Sequence, residues 1–296
     1  MNTKSLLIGL LIGIVIMFLC IVTAALFYGL ARSKGTLLTG NAVGVIEMKG
    51  MIADSTEIND QLRDFLENDR IKAVVLRVDS PGGVVGPSQE IYEEVKKFAA
   101  KKKLVVSMGS VAASGGYYIA APATMIYANP GTLTGSIGVL MKLTNVQELF
   151  GKIGLNSFVL KSGKFKDSGS PVRPMTDEER QLFQGVIDSM HGQFVRAVAE
   201  GRKLPIETVR NLADGRIFSG EQAQQVKLVD KIGNFQDAVD AAAKIAGIEG
   251  KPKLVYPPEK KKSLLAFLVE GTSERVVEKL GMESGVKAVY EMPGGN

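Results

Sequence analysis

The sequence predicts an α/β fold of repeated β-α-β units with a helical carboxyl-terminal part, preceded by one amino-terminal transmembrane helix. Short apolar runs rich in Val and Ile alternate with longer amphipathic runs, a pattern typical of β-α-β crossover units. The apolar runs are almost continuously hydrophobic, as in parallel strands that are covered on both faces. An uncharged run from Ser5 to Ala31 precedes this pattern, and it exceeds the roughly 20 residues that a helix needs to span hydrocarbon.

The uncharged run is interpreted as an uncleaved anchor rather than as a cleaved signal peptide. A signal peptide has a shorter apolar core of about 7–15 residues that ends in an A-x-A-like site, and Thr23-Ala24-Ala25 matches that site poorly. Lys4 flanks one end of the run and Arg32 and Lys34 flank the other, so the positive-inside rule barely separates the two orientations. Because a short amino-terminal stub is followed by a long domain, we expect that domain to be translocated.

The composition is that of a globular protein and excludes several function classes. The chain has 296 residues with 36 Lys+Arg against 31 Asp+Glu, and a net charge of +5 is too balanced for a dedicated nucleic-acid binder. One cysteine, Cys20, and one histidine, His191, are too few for a disulfide framework or a structural zinc site. The glycine pairs match neither nucleotide-binding fingerprint. We therefore expect no metal, no cofactor and no nucleic-acid partner.

Five segments are predicted along the chain. They are a stub at 1–4, the transmembrane anchor at 5–31, a linker at 32–41, one large α/β domain at 42–250 and a carboxyl-terminal tail at 251–296.

Within the domain, strands and helices are predicted from hydrophobic spacing and from turn residues. The strands are short, apolar and bounded by Gly, Pro or Ser: Ala42–Met48, Ala73–Val78, Leu104–Met108, Met125–Ala128, Ser136–Met141 and Ser157–Leu160. The helices have an apolar stripe or a capping residue: Ser88–Ala99, Asn145–Ile153, Thr176–Arg202, Pro205–Leu212, Ser219–Gln225 and Asn234–Ala246. The helix from Thr176 begins TDEE, which fits a capping box.

Two glycine-rich segments follow predicted strands and are candidates for an anion-binding site. Asp79-Ser80-Pro81-Gly82-Gly83 comes directly after the strand at 73–78. Paired glycines allow close backbone approach and present N–H groups that no Cβ shields, so they suit an oxyanion or a phosphate. A tight strand-to-helix turn explains this segment equally well.

Ser114, in Ala113-Ser114-Gly115-Gly116, lies at the start of an apolar, helix-like stretch. Its hydroxyl is expected to be accessible near the positive end of the helix dipole, where it could act as a nucleophile. The alternative is that Ser114 only caps the helix.

A serine nucleophile needs a base, because a free hydroxyl is too weak an acid. His191 lies beside the apolar stripe of the long helix, with no carboxylate placed to orient it, and is interpreted as a solvated or partly packed residue. A lysine serves as base when burial leaves it neutral. Lys161, Lys164 and Lys166 lie in one Gly/Ser-rich loop, and spacing does not choose among them.

Together these motifs resemble the signal peptide peptidase A (protease IV) family of membrane-anchored serine peptidases, in its short single-domain bacterial form. The resemblance extends from about Val43 to Gly247. The motifs that carry it are DSPGG at 79–83, ASGGYY at 113–118, TGSIGV at 134–139, KSGKFKD at 161–167 and GRIFSGEQAQQVKLVDKIG at 215–233. It implies the fold that Clp proteases and crotonases share, so the domain at 42–250 is expected to be a serine peptidase domain.

The resemblance also implies the roles of individual residues. Ser114 is the nucleophile and Lys166 the general base, with Phe165 where the family often has Tyr. Ser136 helps to orient the lysine. The backbone N–H groups of Gly83 and Gly115 form the oxyanion hole, for which the amides of Gly82 or Val84 are alternatives.

The implied activity is hydrolysis of remnant signal peptides and other apolar peptides at the bacterial inner membrane, with the peptidase domain on the extracytoplasmic side. The family also implies a homo-oligomer, an octamer, in which the serine and the lysine come from neighbouring protomers. Two other functions share the fold: a crotonase-like enzyme acting on coenzyme A thioesters, which would need neither Ser114 nor Lys166, and a non-catalytic membrane scaffold.

Overall fold

The structure is a computed structural model that describes residues 13, 16–23, 41–258 and 288–291. The chain forms two units, Met1–Gly40 and Asn41–Asn296. In the first unit residues 13 and 16–23 are helical, and most of the predicted anchor at 5–31 lies outside the described residues. The described residues contain no helix that is long and apolar enough to cross a membrane.

The described part of the second unit contains both strands and helices, which alternate through most of its first half. The strands are β1 Ala42–Lys49, β2 Ile71–Ser80, β3 Gly82–Val84, β4 Lys103–Ala113, β5 Met125–Ala128, β6 Leu133–Gly135, β7 Leu140–Met141, β8 Ile217–Ser219, β9 Lys231–Ile232, β10 Lys253–Val255 and β11 Ala288–Glu291. The helices are α1 Thr56–Glu67, α2 Val85–Lys101, α3 Gly115–Ala120, α4 Gln147–Lys152, α5 Asp177–Arg202, α6 Ile206–Leu212, α7 Gly220–Gln225 and α8 Phe235–Ile245.

The main sheet is parallel, as the sequence predicts. Its strand order is β10-β1-β2-β4-β5-β9, and every neighbouring pair along that path is parallel. β6 pairs in parallel with the carboxyl-terminal end of β4, and β8 pairs antiparallel with β6. A parallel sheet built from β-α-β units agrees with a Clp-protease-like α/β fold.

Alternate residues of the central strands are buried on opposite faces of the sheet, which confirms strands covered on both sides. One face packs against α8, whose buried Val239 and Ala242 share a cluster with Val75 and Val105. The other face belongs to the larger core, in which Phe98 of α2 is fully buried.

A second, three-stranded sheet contains the glycine pair in its strand β3. β11 pairs antiparallel with β3 on one side and with β7 on the other. On its opposite side β3 is bridged to Ile52 in parallel. β10 and β11 both lie within 251–296, so residues of the predicted tail take part in both sheets.

Several predicted elements differ from the structure. The strand predicted at Ser157–Leu160 is wrong, because these residues are exposed coil and the side chains of Phe158 and Leu160 are 86% and 93% exposed. The strand predicted at Ser136–Met141 is wrong over 136–139, where the chain leaves β6 in a left-handed turn at Ser136. Helix α1 was not predicted, although its buried Leu62 and Phe65 have helical spacing.

Candidate active site

The candidate site lies where β2 and β4 end. These strands are parallel neighbours with Ser80 opposite Ala112, so the segments that follow them meet at one edge of the sheet. Gly82 and Gly83 follow β2, and Ser114 follows β4. The fold therefore brings together the two glycine-rich motifs that the sequence singles out.

Ser114 has a strained backbone and a hydroxyl without a partner. Its φ of 51° and ψ of −116° are unusual for a residue with a Cβ. The backbone is held there because its N–H donates to Gly135 O at 2.8 Å and its carbonyl accepts from Tyr118 N at 2.8 Å. No described residue forms a hydrogen bond with Ser114 Oγ, although this atom is buried. Such strain and an unpaired buried polar group are features of functional sites.

These facts correct two expectations about Ser114. Its side chain does not cap α3. A capping serine has an extended backbone, from which its side-chain oxygen accepts a hydrogen bond from the first turn of the helix. Ser114 has neither this backbone conformation nor this hydrogen bond. The hydroxyl is not accessible either: the residue is 1% exposed, because the segment that contains it, from Ala112 to Ala121, is buried throughout.

The backbone N–H groups of the glycine segment point to different sides of β3. The N–H of Val84 donates to Ile52 O at 2.8 Å, and the N–H of Gly82 donates to Ser80 Oγ at 3.1 Å. These two alternative oxyanion donors therefore already have acceptors. Because polar groups alternate sides along a strand, the N–H of Gly83 faces away from Ile52.

The amides of Gly83 and Gly115 lie close together. A Cβ built on Gly115 would be 3.2 Å from Gly83 N and 2.8 Å from Ser88 Oγ. Gly115 also begins α3, whose first amides have no acceptor within the helix. Two neighbouring N–H groups next to a serine are the arrangement that stabilises an oxyanion.

Ser136 lies next to Ser114 in the sheet register. Ala113 at the end of β4 is paired with Gly135 at the end of β6, and one serine follows each of them. Ser136 is 3% exposed and also has a positive φ, 50°. Its N–H donates to Arg216 O at 2.8 Å, which fixes this turn.

No hydrogen bond of the described residues joins Lys166 to Ser114 or Ser136. The backbone N–H of Lys166 closes a turn on Gly163 O at 3.1 Å, and its side chain is exposed. The other two candidate lysines have carboxylate partners, since Lys161 pairs with Asp167 and Lys164 with Glu178. Within the described residues Lys166 forms no ion pair, a difference that spacing alone could not show.

An ion-pair network that the sequence did not predict holds the loop of Lys166. Arg173 binds both Asp167 and Glu179. Hydrogen bonds from Arg173 lower the pKa of Glu179 to about 2, and hydrogen bonds from Arg173 and Lys161 hold the pKa of Asp167 well below its usual range. The same carboxylates raise the pKa of Arg173 further. The loop is thus fixed by charged groups rather than by apolar packing.

His191 is partly packed in α5, as expected, and its Nε2 has no hydrogen-bond partner among the described residues. No group of His, Cys, Asp or Glu in the described part of the chain is arranged to hold a metal ion.

Strand β11 lies directly against the glycine segment. Its register places Tyr290 opposite Gly83 and Glu291 opposite Gly82. A Cβ on Gly82 would lie 2.0 Å from the carbonyl oxygen of Tyr290 and 2.9 Å from Gly115 N, so this carbonyl lies beside the two candidate oxyanion donors. The alternation in Ala288–Glu291 is too short for the sequence to predict this strand.

The ring of Tyr290 is fully buried among other aromatic rings. Its centroid is 5.2 Å from that of Tyr118 in a stacked arrangement and 4.8 Å from that of Phe194. Its hydroxyl donates to Met190 O at 3.4 Å. The space beside α3 thus accepts an aromatic side chain from an extended segment.

Comparisons with known proteins give the site a context. The family model described as peptidase family S49 matches residues 96–249, and the model described as Clp protease matches residues 44–132. The chain is 40% identical to "Putative protease slr0021" of Synechocystis over 84% of this chain and 91% of that protein. It is 35% identical to "Putative signal peptide peptidase SppA" of Enterococcus faecium over 84% of this chain and 80% of that protein. It is 38% identical to "Protease 4" of Salmonella typhi over 71% of this chain but only 36% of that protein.

Proposed function

Because the chain belongs to peptidase family S49, the signal peptide peptidase A family, and is a serine endopeptidase, we propose that Ser114 is its nucleophile and Lys166 its general base. The observation that carries the proposal is the unpartnered Ser114 hydroxyl in a strained turn beside the paired amides of Gly83 and Gly115.

In the proposed mechanism Ser114 Oγ attacks the carbonyl carbon of a peptide bond. The neutral amine of Lys166 accepts the hydroxyl proton and then delivers it to the nitrogen that leaves. The N–H groups of Gly83 and Gly115 stabilise the charge that develops on the carbonyl oxygen, and each such donor is commonly worth about a hundred- to a thousand-fold in rate. Water activated by the same lysine then hydrolyses the acyl-enzyme. Ser136, next to Ser114 in register, accepts a hydrogen bond from Lys166 and orients it.

The lysine of each site comes from a neighbouring copy of the chain. Three observations support this arrangement: Ser114 Oγ has no partner among the described residues, the Lys166 side chain is exposed, and the segment before it exposes several large apolar side chains. Such a patch is typical of a protein–protein interface, and its members are Leu149, Ile153, Leu155, Phe158, Val159 and Leu160. Contact with a neighbour would also remove water from the amine, which a neutral lysine requires. We expect a closed ring of eight protomers.

The substrate binds as an added strand along β3. Support comes from β11, which shows that an extended segment fits antiparallel to β3 with a carbonyl oxygen at the paired amides. Tyr290 of this segment is buried among rings, which favours apolar peptides. Remnant signal peptides have that character, and the proposed anchor at 5–31 would place the enzyme in the bacterial inner membrane beside them, with the peptidase domain on the extracytoplasmic side.

The decisive experiment compares the full-length protein in detergent with three variants on an apolar peptide ester. Ser114→Ala and Lys166→Ala are expected to lose nearly all turnover, whereas Lys164→Ala, two residues away in the same loop, removes no proposed catalytic group and should keep far more of it. Turnover unchanged in Ser114→Ala or Lys166→Ala would refute the dyad, and would leave a non-catalytic scaffold or thioester chemistry to explain the fold.

Mixing the two inactive variants tests the shared site. If each site uses two chains, a mixed oligomer of Ser114→Ala and Lys166→Ala protomers contains some complete sites and regains part of the activity. Subunit exchange is verified by energy transfer between donor-labelled and acceptor-labelled protomers. If exchange occurs and activity does not recover, both residues belong to one chain. Resistance to carbonate extraction, together with digestion of the peptidase domain in spheroplasts by added protease, tests the anchor and its orientation.

A further inference from the structure

We propose that Arg173 is a positioning residue for Lys166: it fixes the loop that carries Lys166 and holds the neighbouring carboxylate of Asp167 away from that lysine. The inference rests on the proposed function, in which Lys166 is the base.

Arg173 uses every one of its five N–H donors. Its Nε donates to Asp167 Oδ2 at 2.9 Å, and its two terminal nitrogens donate to the Asp167 carbonyl at 3.0 Å, the Pro174 carbonyl at 3.0 Å and both carboxylate oxygens of Glu179. A planar guanidinium with all donors satisfied has one orientation, unlike a lysine ammonium. Arg173 therefore crosslinks two parts of the chain rigidly rather than forming a loose surface ion pair.

On one side this crosslink ends in the first turn of α5. Glu179 is 3% exposed, and its carboxylate also accepts from the N–H of Thr176 at 3.0 Å, closing a capping box with the Thr176 hydroxyl. Farther along the same helix Phe194 is fully buried in the core. Glu179 is thus a fixed point, tied through the helix to the body of the domain.

On the other side the crosslink ends at the residue next to Lys166. Arg173 binds the side chain and also the backbone carbonyl of Asp167, so the main chain itself is held. The second oxygen of the Asp167 carboxylate is bound by Lys161. Successive turns from Gly163 to Ser170 carry the backbone through this point. Because Asp167 is fixed, the direction in which the Lys166 side chain projects from the loop is fixed as well.

The charges around Lys166 give Arg173 a second effect. Lys161, Lys164, Asp167 and Arg173 lie on the loop, and Glu178 and Glu179 lie at the start of α5. Each of the three carboxylates is bound by another cation: Asp167 by Lys161 and Arg173, Glu178 by Lys164, and Glu179 by Arg173. Without Arg173, the Asp167 side chain would keep only its contact with Lys161, so it could approach Lys166 more closely and stabilise its ammonium form, which is inactive as a base.

The test is the pH dependence of kcat in Arg173→Gln. We expect kcat at pH 8 to fall about tenfold or more, because a displacement of about 1 Å in a catalytic group can cost a hundredfold. We expect KM to change little, since β3 is not touched. The rising limb of kcat against pH should move about one unit to higher pH, because a freed carboxylate favours the protonated amine.

The double variant Arg173→Gln with Asp167→Asn separates the two effects. Removing the carboxylate should return the pH limb to its wild-type position while kcat stays low, because the loop is still unanchored. An alkaline shift that persists in the double variant would overturn the electrostatic part of the inference. Arg173→Lys keeps the positive charge but loses the guanidinium geometry. It should therefore keep the wild-type position of the rising limb of kcat against pH and still lower kcat.

The matched control is Arg210→Gln, which breaks an exposed Arg–Glu pair on α6 with no contact to the loop. It should leave kcat, KM and the pH limb unchanged. If Arg173→Gln had the same kcat as wild type and the same rising limb of kcat against pH, the proposal would be refuted.

A readout without turnover keeps the inference testable if Arg173→Gln also weakens the fold. In a Ser114→Ala background, Lys166 is acylated with an amine-reactive reagent at a series of pH values, and the extent of acylation is measured by peptide mass mapping. In folded protein this pH dependence should show the same alkaline shift. If Ser114→Ala and Lys166→Ala abolish turnover but neither readout shifts in Arg173→Gln, the dyad stands and only the role of Arg173 is wrong. If those two variants remain active, the proposed function itself fails.

Discussion

Gly115→Ala tests the oxyanion hole with a single added methyl group. The new Cβ would lie 3.2 Å from Gly83 N, so it would crowd the pair of amides that are proposed to bind the carbonyl oxygen. Gly115 has no positive φ, so alanine fits its backbone conformation. The other close atoms are Gly82 Cα at 3.3 Å and Ser88 Oγ at 2.8 Å, the end of a side chain that donates to Val84 O.

The expected loss of activity is much larger than the expected loss of stability. Blocking one oxyanion donor costs about 3–4 kcal/mol in the transition state, or a hundred- to a thousand-fold in kcat/KM. Displacing the Ser88 hydroxyl sacrifices one hydrogen bond, about 1 kcal/mol, and alanine in place of glycine in a helix returns about 1 kcal/mol. The free energy of unfolding should therefore stay within about 1 kcal/mol of wild type.

The assay is turnover of an apolar peptide ester together with urea unfolding of the same samples. Gly86→Ala is the control, because a Cβ on this glycine of α2 meets no atom within 4 Å; it should keep full activity. The double variant Gly115→Ala with Ser88→Ala removes the closest of these contacts and should recover stability but not activity. Wild-type kcat/KM in Gly115→Ala, or full activity in the double variant, would show that these amides do not bind the oxyanion.

Three further expectations follow from other parts of the structure. Truncation before Ala288 should lower the KM for an apolar peptide several-fold, since β3 would then be free to pair with substrate; an unchanged KM would show that β11 and substrate do not compete. The pKa of Glu179 is about 2, below its ordinary 4.5, so the folded state binds fewer protons than the unfolded state between these values and loses stability as the pH falls through them. Urea midpoints should therefore fall less steeply with acid in Glu179→Gln than in wild type, and parallel curves would contradict this. Phe98→Ala, which empties a fully buried position of α2, should cost about 3–5 kcal/mol in chemical denaturation, and a cost below about 1 kcal/mol would mean that the core collapses around the gap.

The central fold could be predicted because strands that are buried on both faces are almost continuously hydrophobic in the sequence. Met125–Ala128 was predicted with the bounds of β5, and the capping box at Thr176 marks the start of α5. Short apolar runs are less informative, since hydrophobicity does not say what buries them. Ser157–Leu160 has the composition of a strand, yet it finds no partner strand among the described residues and is exposed.

The candidate site was predictable where chemistry depends on local sequence and not where it depends on contacts between distant segments. Gly83 and Ser114 stand out because glycines and a serine follow predicted strands. The partners of Arg173 do not stand out, because an arginine in a polar loop looks the same whether it is solvated or holds two carboxylates. The pairing of Tyr290 with Gly83 joins residues more than 200 positions apart in the chain, and no local pattern marks it.

The place of β11 has a practical consequence for handling the protein. Glu291 lies opposite Gly82 in the register, so a purification tag or a fluorescent fusion at the carboxyl-terminal end would be joined to the chain close to the glycine segment. A bulky fusion there would crowd the glycine segment or pull β11 away from β3, and either event would change measured rates without any change in the enzyme's own chemistry. Labels for kinetic or imaging work are better placed in the exposed segment around Glu207 of α6.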